Sequence, residues 1–149
     1  MAQLMSFIVH GRDQGLMYEL KDYLQNTLGL PEPIVLEQMP EGGRTIIEKF
    51  EDYASQVDLA IVLMTPDDFG ALEGHDPRAR ARQNVIFELG YFMGQFGRRP
   101  SRVLLLHKGE LDLPSDLAGI IYIKIDNSIA GVGDRLRREL MNLDKWRKP

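Results

Sequence analysis

Apolar residues in this chain fall into short unbroken runs and longer stripes with helical spacing, and the two kinds alternate. Ser6-Phe7-Ile8-Val9-His10 is the first run, a buried strand ending in Gly11-Arg12-Asp13. Asp13 can cap a helix with Leu16, Leu20, Tyr23, Leu24 and Leu28 on its core face, stopped by Gly29. Residues 33–37 are expected to form a second strand, and residues 38–44 a loop containing Gly42-Gly43. Thr45 and Glu48 have the spacing of a capping box for a helix carrying Ile46, Ile47, Phe50 and Tyr53. The third strand lies within 58–64 and runs into a loop at Thr65-Pro66-Asp67-Asp68-Phe69-Gly70. A helix over 81–97 follows. Its apolar stripe is Val85, Leu89, Phe92 and Phe96, Asp76-Pro77 resembles its cap and first-turn proline, and Gly97 is its stop. Strands at 102–107 and 120–125, one helical turn at 113–117 and a last helix at 134–146 complete the pattern.

Continuous apolar strands alternating with helices predict a parallel sheet covered on both faces. The expected fold is α/β, a flavodoxin-like five-stranded parallel sheet in the order 2-1-3-4-5. Right-handed crossovers place the first and last helices on one face and the others opposite. No linker rich in Pro, Gly or Ser interrupts the chain, so residues 1–149 read as a single domain.

Composition narrows the function classes. A formal charge of -4 disfavours direct nucleic-acid or anionic-membrane partners. With no cysteine, disulfides, thiolate metal sites and cysteine nucleophiles are excluded. No apolar run approaches the ~20 residues of a membrane span and no signal peptide is evident, so a cytoplasmic protein is expected.

Glu88 lies in the middle of the apolar helix at 81–97, with Asn84 one turn before it. On spacing alone, a solvated glutamate or a partner of Arg82 accounts for it. Two observations favour a site. Ligands of such sheets bind beyond the carboxyl ends of strands at the switch point between the first and third. The polar, glycine-bearing loops His10-Gly11-Arg12-Asp13 and Thr65 to Gly70 both fall there. Standard motifs are absent: no G-x-G-x-x-G, no G-x-x-x-x-G-K-[ST], no G-x-S-x-G. His10, His75 and His107 lack metal-ligand spacing, and no metal is expected. Asp13, Asp67 and Lys124 fit a phospho-receiver site poorly, because the acidic pair after the first strand is missing.

The second observation is a resemblance. Phe7-Ile8-Val9-His10-Gly11-Arg12-Asp13, Gly43-Arg44-Thr45-Ile46-Ile47-Glu48-Lys49, Val62-Leu63-Met64-Thr65-Pro66-Asp67-Asp68-Phe69-Gly70, Arg82-Gln83-Asn84-Val85-Ile86-Phe87-Glu88-Leu89-Gly90 and Leu113-Pro114-Ser115-Asp116-Leu117 follow one another in the order of a known family. The chain resembles the TIR-like domains of bacterial anti-phage effectors, the type fused to STING or other cyclic-nucleotide sensors. The resemblance implies a TIR fold and, as in the active members, hydrolysis of NAD+ to nicotinamide and ADP-ribose. The family's catalytic glutamate falls on Glu88. The tryptophan usual one turn earlier is Asn84 here.

The resemblance further implies activation by self-association with other TIR domains, and cyclic-nucleotide sensing through a separate or fused domain for which 149 residues leave no room. NAD+ enters as substrate, and no cofactor is expected. From position beside the crevice, Arg12 and Arg44 are expected to meet the pyrophosphate and Asp67 or Asp68 the ribose hydroxyls. Asp13, Phe69 and Asn84 complete the expected substrate contacts. Phe87 and Tyr91 are apolar neighbours able to stack on nicotinamide. A lone carboxylate suits this bond. Nicotinamide leaves as a neutral ring from a cationic one, so the second, acidic carboxyl of ordinary glycosidases is dispensable. Two other readings stand beside it: a non-catalytic assembly domain that docks through residues 38–44, and a nucleoside deoxyribosyltransferase-like N-glycosidase.

Overall fold

Apolar side chains on both sides of each strand demand cover on both sides of the sheet, and the structure supplies it. The structure is a computed structural model that describes residues 4–97, 102–117 and 120–146. Four parallel strands form the main sheet: β1 (Ser6–Val9), β2 (Leu59–Met64), β5 (Val103–Lys108) and β6 (Ile121–Ile125), adjacent in that order. Ile8, Leu59, Ile61, Leu63, Leu104, Leu106 and Ile123 face one core. There they meet Leu16, Met17 and Leu20 of α1 (Gln14–Asp22) and Leu136, Leu140 and Leu143 of α4 (Gly133–Trp146). Phe7, Val9, Ala60, Val62, Met64 and Leu105 face the other. That side is covered by Phe50 and Ala54 of α2 (Ile46–Ala54) and Val85, Leu89, Phe92 and Phe96 of α3 (Gln83–Phe96). The first and last helices thus share one face, as the handedness of the crossovers requires.

The expected second strand is not a strand. Residues 33–37 contribute one parallel bridge, Ile34 to Phe7, in which Ile8 N–H donates to Ile34 O at 2.9 Å and Ile34 N–H to Ser6 O at 2.8 Å. The bridge lies on the edge of β1 that the 2-1-3-4-5 order assigns to a second strand, but the sheet proper has four strands, not five. Pro31 and Pro33 bring no N–H donors to a ladder, and the chain then coils into a 3-10 turn over Leu36–Gln38. A two-stranded antiparallel hairpin, β3 (Asp68–Gly70) with β4 (Arg78–Arg80), occupies part of what the sequence suggests is loop.

The helix ends follow local chemistry with one exception. The Asp13 carboxylate accepts from Leu16 N–H at 3.0 Å, and Thr45 with Glu48 completes a reciprocal capping box. Gly97, at φ 62, ends α3 with its N–H on Met93 O at 2.9 Å. The exception is the start of α3. Asp76-Pro77 lies in the turn of the hairpin, and the cap position belongs to Arg82, whose side chain makes no capping bond.

An aromatic cluster fixes α2 and α3 relative to β1. Phe92 lies 5.0 Å from Phe7 and 5.6 Å from Phe50 between ring centroids, and Phe50 lies 4.9 Å from Tyr91. Lys49 and Glu88 are carried on the two helices this cluster joins. Among the described residues no helix is long and apolar enough to cross a membrane. Because Phe92 is fully buried at the centre of the cluster, Phe92→Ala is expected to cost about 3–5 kcal/mol in chemical denaturation.

Candidate functional site

β1 ends at Val9, and the chain beyond it bounds a cleft of about 280 Å³ between the sheet edge, α2 and α3. Its floor is Phe7 and Ile8. His10 and Gly11 from the loop after β1, Glu37 and Glu41 from the connection to α2, Ile46 and Lys49 from α2, and Arg82, Asn84 and Glu88 from α3 line its walls. This is a crevice beyond the carboxyl end of the first strand, where an open α/β sheet presents backbone and side chains without a covering helix.

Glu88 is the unusual group. It is half-buried, and among the described residues none donates a hydrogen bond to its carboxylate. Burial raises its pKa to about 7, and the nearby positive charge of Arg82 opposes that rise without cancelling it. A structural carboxylate in such a position is usually satisfied by donors. Here the carboxylate faces a cleft with its oxygens available, titrating near neutrality.

The other expected contacts separate into three groups. Asn84 lines the cleft one helical turn before Glu88. Arg12, Asp13, Asp67, Asp68 and Phe69 gather at the ends of β1 and β2 but outside the cleft lining. Arg12 Nε lies 3.3 Å from Asp68 Oδ1, which ties the loop after β1 to the hairpin, and Asp13 caps α1. Asp67 Oδ1 accepts from Thr65 Oγ1 at 2.6 Å, while its buried Oδ2 has no hydrogen-bond partner among the described residues and lies where a Cβ at Gly11 would be. A side chain at position 11 would require the Asp67 carboxylate to move from the space it fills. Phe69 is 71% exposed on the hairpin.

Arg44 forms the third group alone. Its Nη1 donates to Asp52 at 2.9 Å, Nε to Glu41 O at 3.0 Å and Nη2 to Pro40 O at 3.0 Å, and the guanidinium lies 5.1 Å from the Tyr53 ring centre. It therefore clamps the loop before α2. Phe87 is 54% exposed, and Tyr91 packs on Phe50 in the aromatic cluster.

Lys49 is the residue that motif reading passes over. Its side chain is only 4% exposed, and its ammonium donates to Glu41 Oε1 at 2.9 Å. The signal is present in the helix period: Lys49, Phe50, Tyr53 and Ala54 share one face, so a lysine stands on the inward stripe of α2. His10 is the other. Its Nδ1 is 3.0 Å from Gly11 O and its Nε2 3.5 Å from Glu37, so the ring is oriented from both sides. Among the described residues no group of three or more His, Cys, Asp or Glu is arranged to hold a metal ion.

Known proteins share the fold or much of the sequence. The crystal structure of the IL-17 receptor B SEFIR domain has the same fold, with a TM-score of 0.55 over 93% of this chain and 98% of that one at 13% identity. The protein YuaY of Escherichia coli (strain K12) is 51% identical over 121 residues, covering 80% of this chain and 39% of the relative. Protein tirC of Dictyostelium discoideum is 39% identical over 128 residues, 78% of this chain and 62% of the relative. The Pycsar effector protein PaPycTIR of Pseudomonas aeruginosa is 38% identical over 77 residues, 52% of this chain and 25% of the relative. The chain thus spans less than two thirds of the length of each of these three relatives. Residues 6–127 match the TIR domain of the CAP12/Pycsar effector proteins, most of the chain from β1 to just past β6, and the protein belongs to that family.

Proposed function

We propose that the cleft binds NAD+ and that Glu88 drives cleavage of its nicotinamide–ribose bond, giving nicotinamide and ADP-ribose. The observation that carries this reading is the half-buried Glu88 carboxylate, open to the cleft and without a hydrogen-bond donor among the described residues. As the bond breaks, positive charge moves from the nicotinamide ring onto the ribose, and nicotinamide departs neutral. A carboxylate beside the ribose stabilises that charge, most strongly in a site where little water screens it. Water then attacks the ribose carbon, its proton is lost, and ADP-ribose results. The reacting form is ionised Glu88, so a pKa near 7 makes the free enzyme's activity depend on pH in the physiological range.

The effector role is extended to this chain from the Pseudomonas relative, whose name carries it. We read the setting as anti-phage defence, with activity switched on when copies of the domain associate. The exposed Ile46 and Ile47, beside the clamped loop at the mouth of the cleft, offer an apolar surface for that association. A purely non-catalytic assembly domain would have the same exposed isoleucines but no need for an unpaired carboxylate, whose burial costs stability.

Nicotinamide release is the direct assay. Glu88→Gln keeps the shape and removes the charge, and is expected to lower turnover by on the order of a hundred-fold or more. For the wild-type protein kcat/KM should rise with pH through about 7; a flat profile from about pH 6 to 8 contradicts the assignment. Stability should move the opposite way. Between about pH 4.5 and 7 folded Glu88 holds a proton that the unfolded chain has lost, so stability falls as pH rises through that window. Glu88→Gln escapes this cost, and in denaturant titrations should be the more stable protein at about pH 8, by on the order of 1–3 kcal/mol, with the gap closing by about pH 4. Specific activity should also climb with protein concentration; constancy over a hundred-fold dilution would mark a self-sufficient monomer.

A further inference from the structure

Lys49 lines the same cleft as Glu88, and its ammonium is paired with Glu41. Its pairing is asymmetric. The Lys49 side chain is 4% exposed, and that of its partner Glu41 is 69% exposed. A buried ammonium needs an anion beside it, because leaving it uncompensated costs several kcal/mol. An exposed carboxylate has no such need, since water solvates it equally well.

The loop is built so that the Glu41 side chain can leave alone. Arg44 grips the backbone oxygens of Pro40 and Glu41 and is itself tied to Asp52. The turn that follows passes through Gly42 and Gly43, at φ 61 and 72. The backbone is therefore held, while the Glu41 carboxylate is fastened by Lys49 Nζ. The arginines expected to meet a pyrophosphate are already occupied, Arg12 by Asp68 and Arg44 by Asp52.

We propose that Lys49 is the anion anchor of the cleft, taking an oxygen of a diphosphate ligand, and that Glu41 fills that place as a built-in competitor until the ligand displaces it. The identity of the ligand as a dinucleotide rests on the NAD+ reading; the anchor itself does not. The exchange keeps the ammonium paired throughout, so the cost of burying it is already met in the free protein. It also moves one of the cleft's three carboxylates, Glu37, Glu41 and Glu88, away from the incoming anion.

Calorimetric binding to the wild-type chain, Glu41→Gln and Lys49→Met tests this with three probes: ADP-ribose, inorganic pyrophosphate, and nicotinamide riboside, which has no diphosphate. Glu41→Gln is expected to bind ADP-ribose and pyrophosphate about tenfold more tightly than the wild type, with nicotinamide riboside unchanged. Lys49→Met should lose about tenfold or more for both diphosphates, and should lose it also when combined with Glu41→Gln. Melting curves check that both single variants are folded; if one is not, the other decides, and if neither is, the double variant, which leaves no unpaired ammonium, does. Diphosphate binding that Glu41→Gln leaves unchanged or weakens overturns the proposal, as does wild-type protein that binds neither diphosphate. Were pyrophosphate to show the expected pattern in a protein that leaves NAD+ intact, the anchor would stand and the NAD+ reading would fall. In an NAD+-cleaving protein without that pattern, the NAD+ reading would stand and the anchor would fall.

Discussion

A parallel sheet with apolar residues on both faces leaves one place for polar chemistry, the ends of its strands. Here that constraint is severe. All six residues of β2 are buried, and so are all four of β1. The side chains alternate between a core under α1 and α4 and a core under α2 and α3, and neither core admits an ionised group without a partner. Polar residues are therefore driven to the loops after β1 and β2 and to the rims of the helices. The Phe7–Phe50–Phe92 contacts set the rims of α2 and α3 against the end of β1. The cleft follows from that packing, as a gap between covered surfaces.

Two charges in the cleft are handled in opposite ways. Lys49 is buried and paired with Glu41, and Glu88 is half-buried and has no donor among the described residues. The first keeps a cation ready at a position that water scarcely reaches; the second holds a carboxylate at a free-energy cost that packing elsewhere must offset. Costs of this kind concentrate at sites where a bound ligand relieves them. A cationic nicotinamide ring beside Glu88 would relieve that cost, and an anionic diphosphate beside Lys49 would replace one anionic partner by another. The two charges thus suit two groups of the proposed ligand, its nicotinamide ring and its diphosphate.

Much of this is legible in the sequence, for identifiable reasons. The short apolar run Leu59–Met64, closed by Thr65-Pro66, suits a buried strand, and the Val85, Leu89, Phe92, Phe96 stripe has the helical period. Glu88 stands out because it is a charged residue in the middle of that apolar helix. The differences have physical causes as well. Ile34 lies in an apolar run, but Pro31 and Pro33 deprive it of the donors that would extend one bridge into a strand. The hairpin is hidden because its strands have three residues each, too few to show a period. Asp76-Pro77 has the chemistry of a helix start, yet β4 intervenes and the helix begins at Gln83 without a side-chain cap. Arg44 reads as a free cation beside the crevice because its carboxylate partner, Asp52, lies two turns along α2, and the pairing of Lys49 with Glu41 spans the glycine turn before α2, where no helix period relates the two.

The catalytic reading of this cleft rests on the state of one carboxylate, which can be observed without substrate. The side-chain carboxyl carbon of Glu88, followed by NMR through a pH titration and assigned by its absence in Glu88→Gln, reports that state directly. The expected midpoint is about 7, set by burial and moderated by Arg82. A midpoint in the ordinary glutamate range, about 4.3, would make Glu88 a solvated helix residue and contradict its role in the cleft.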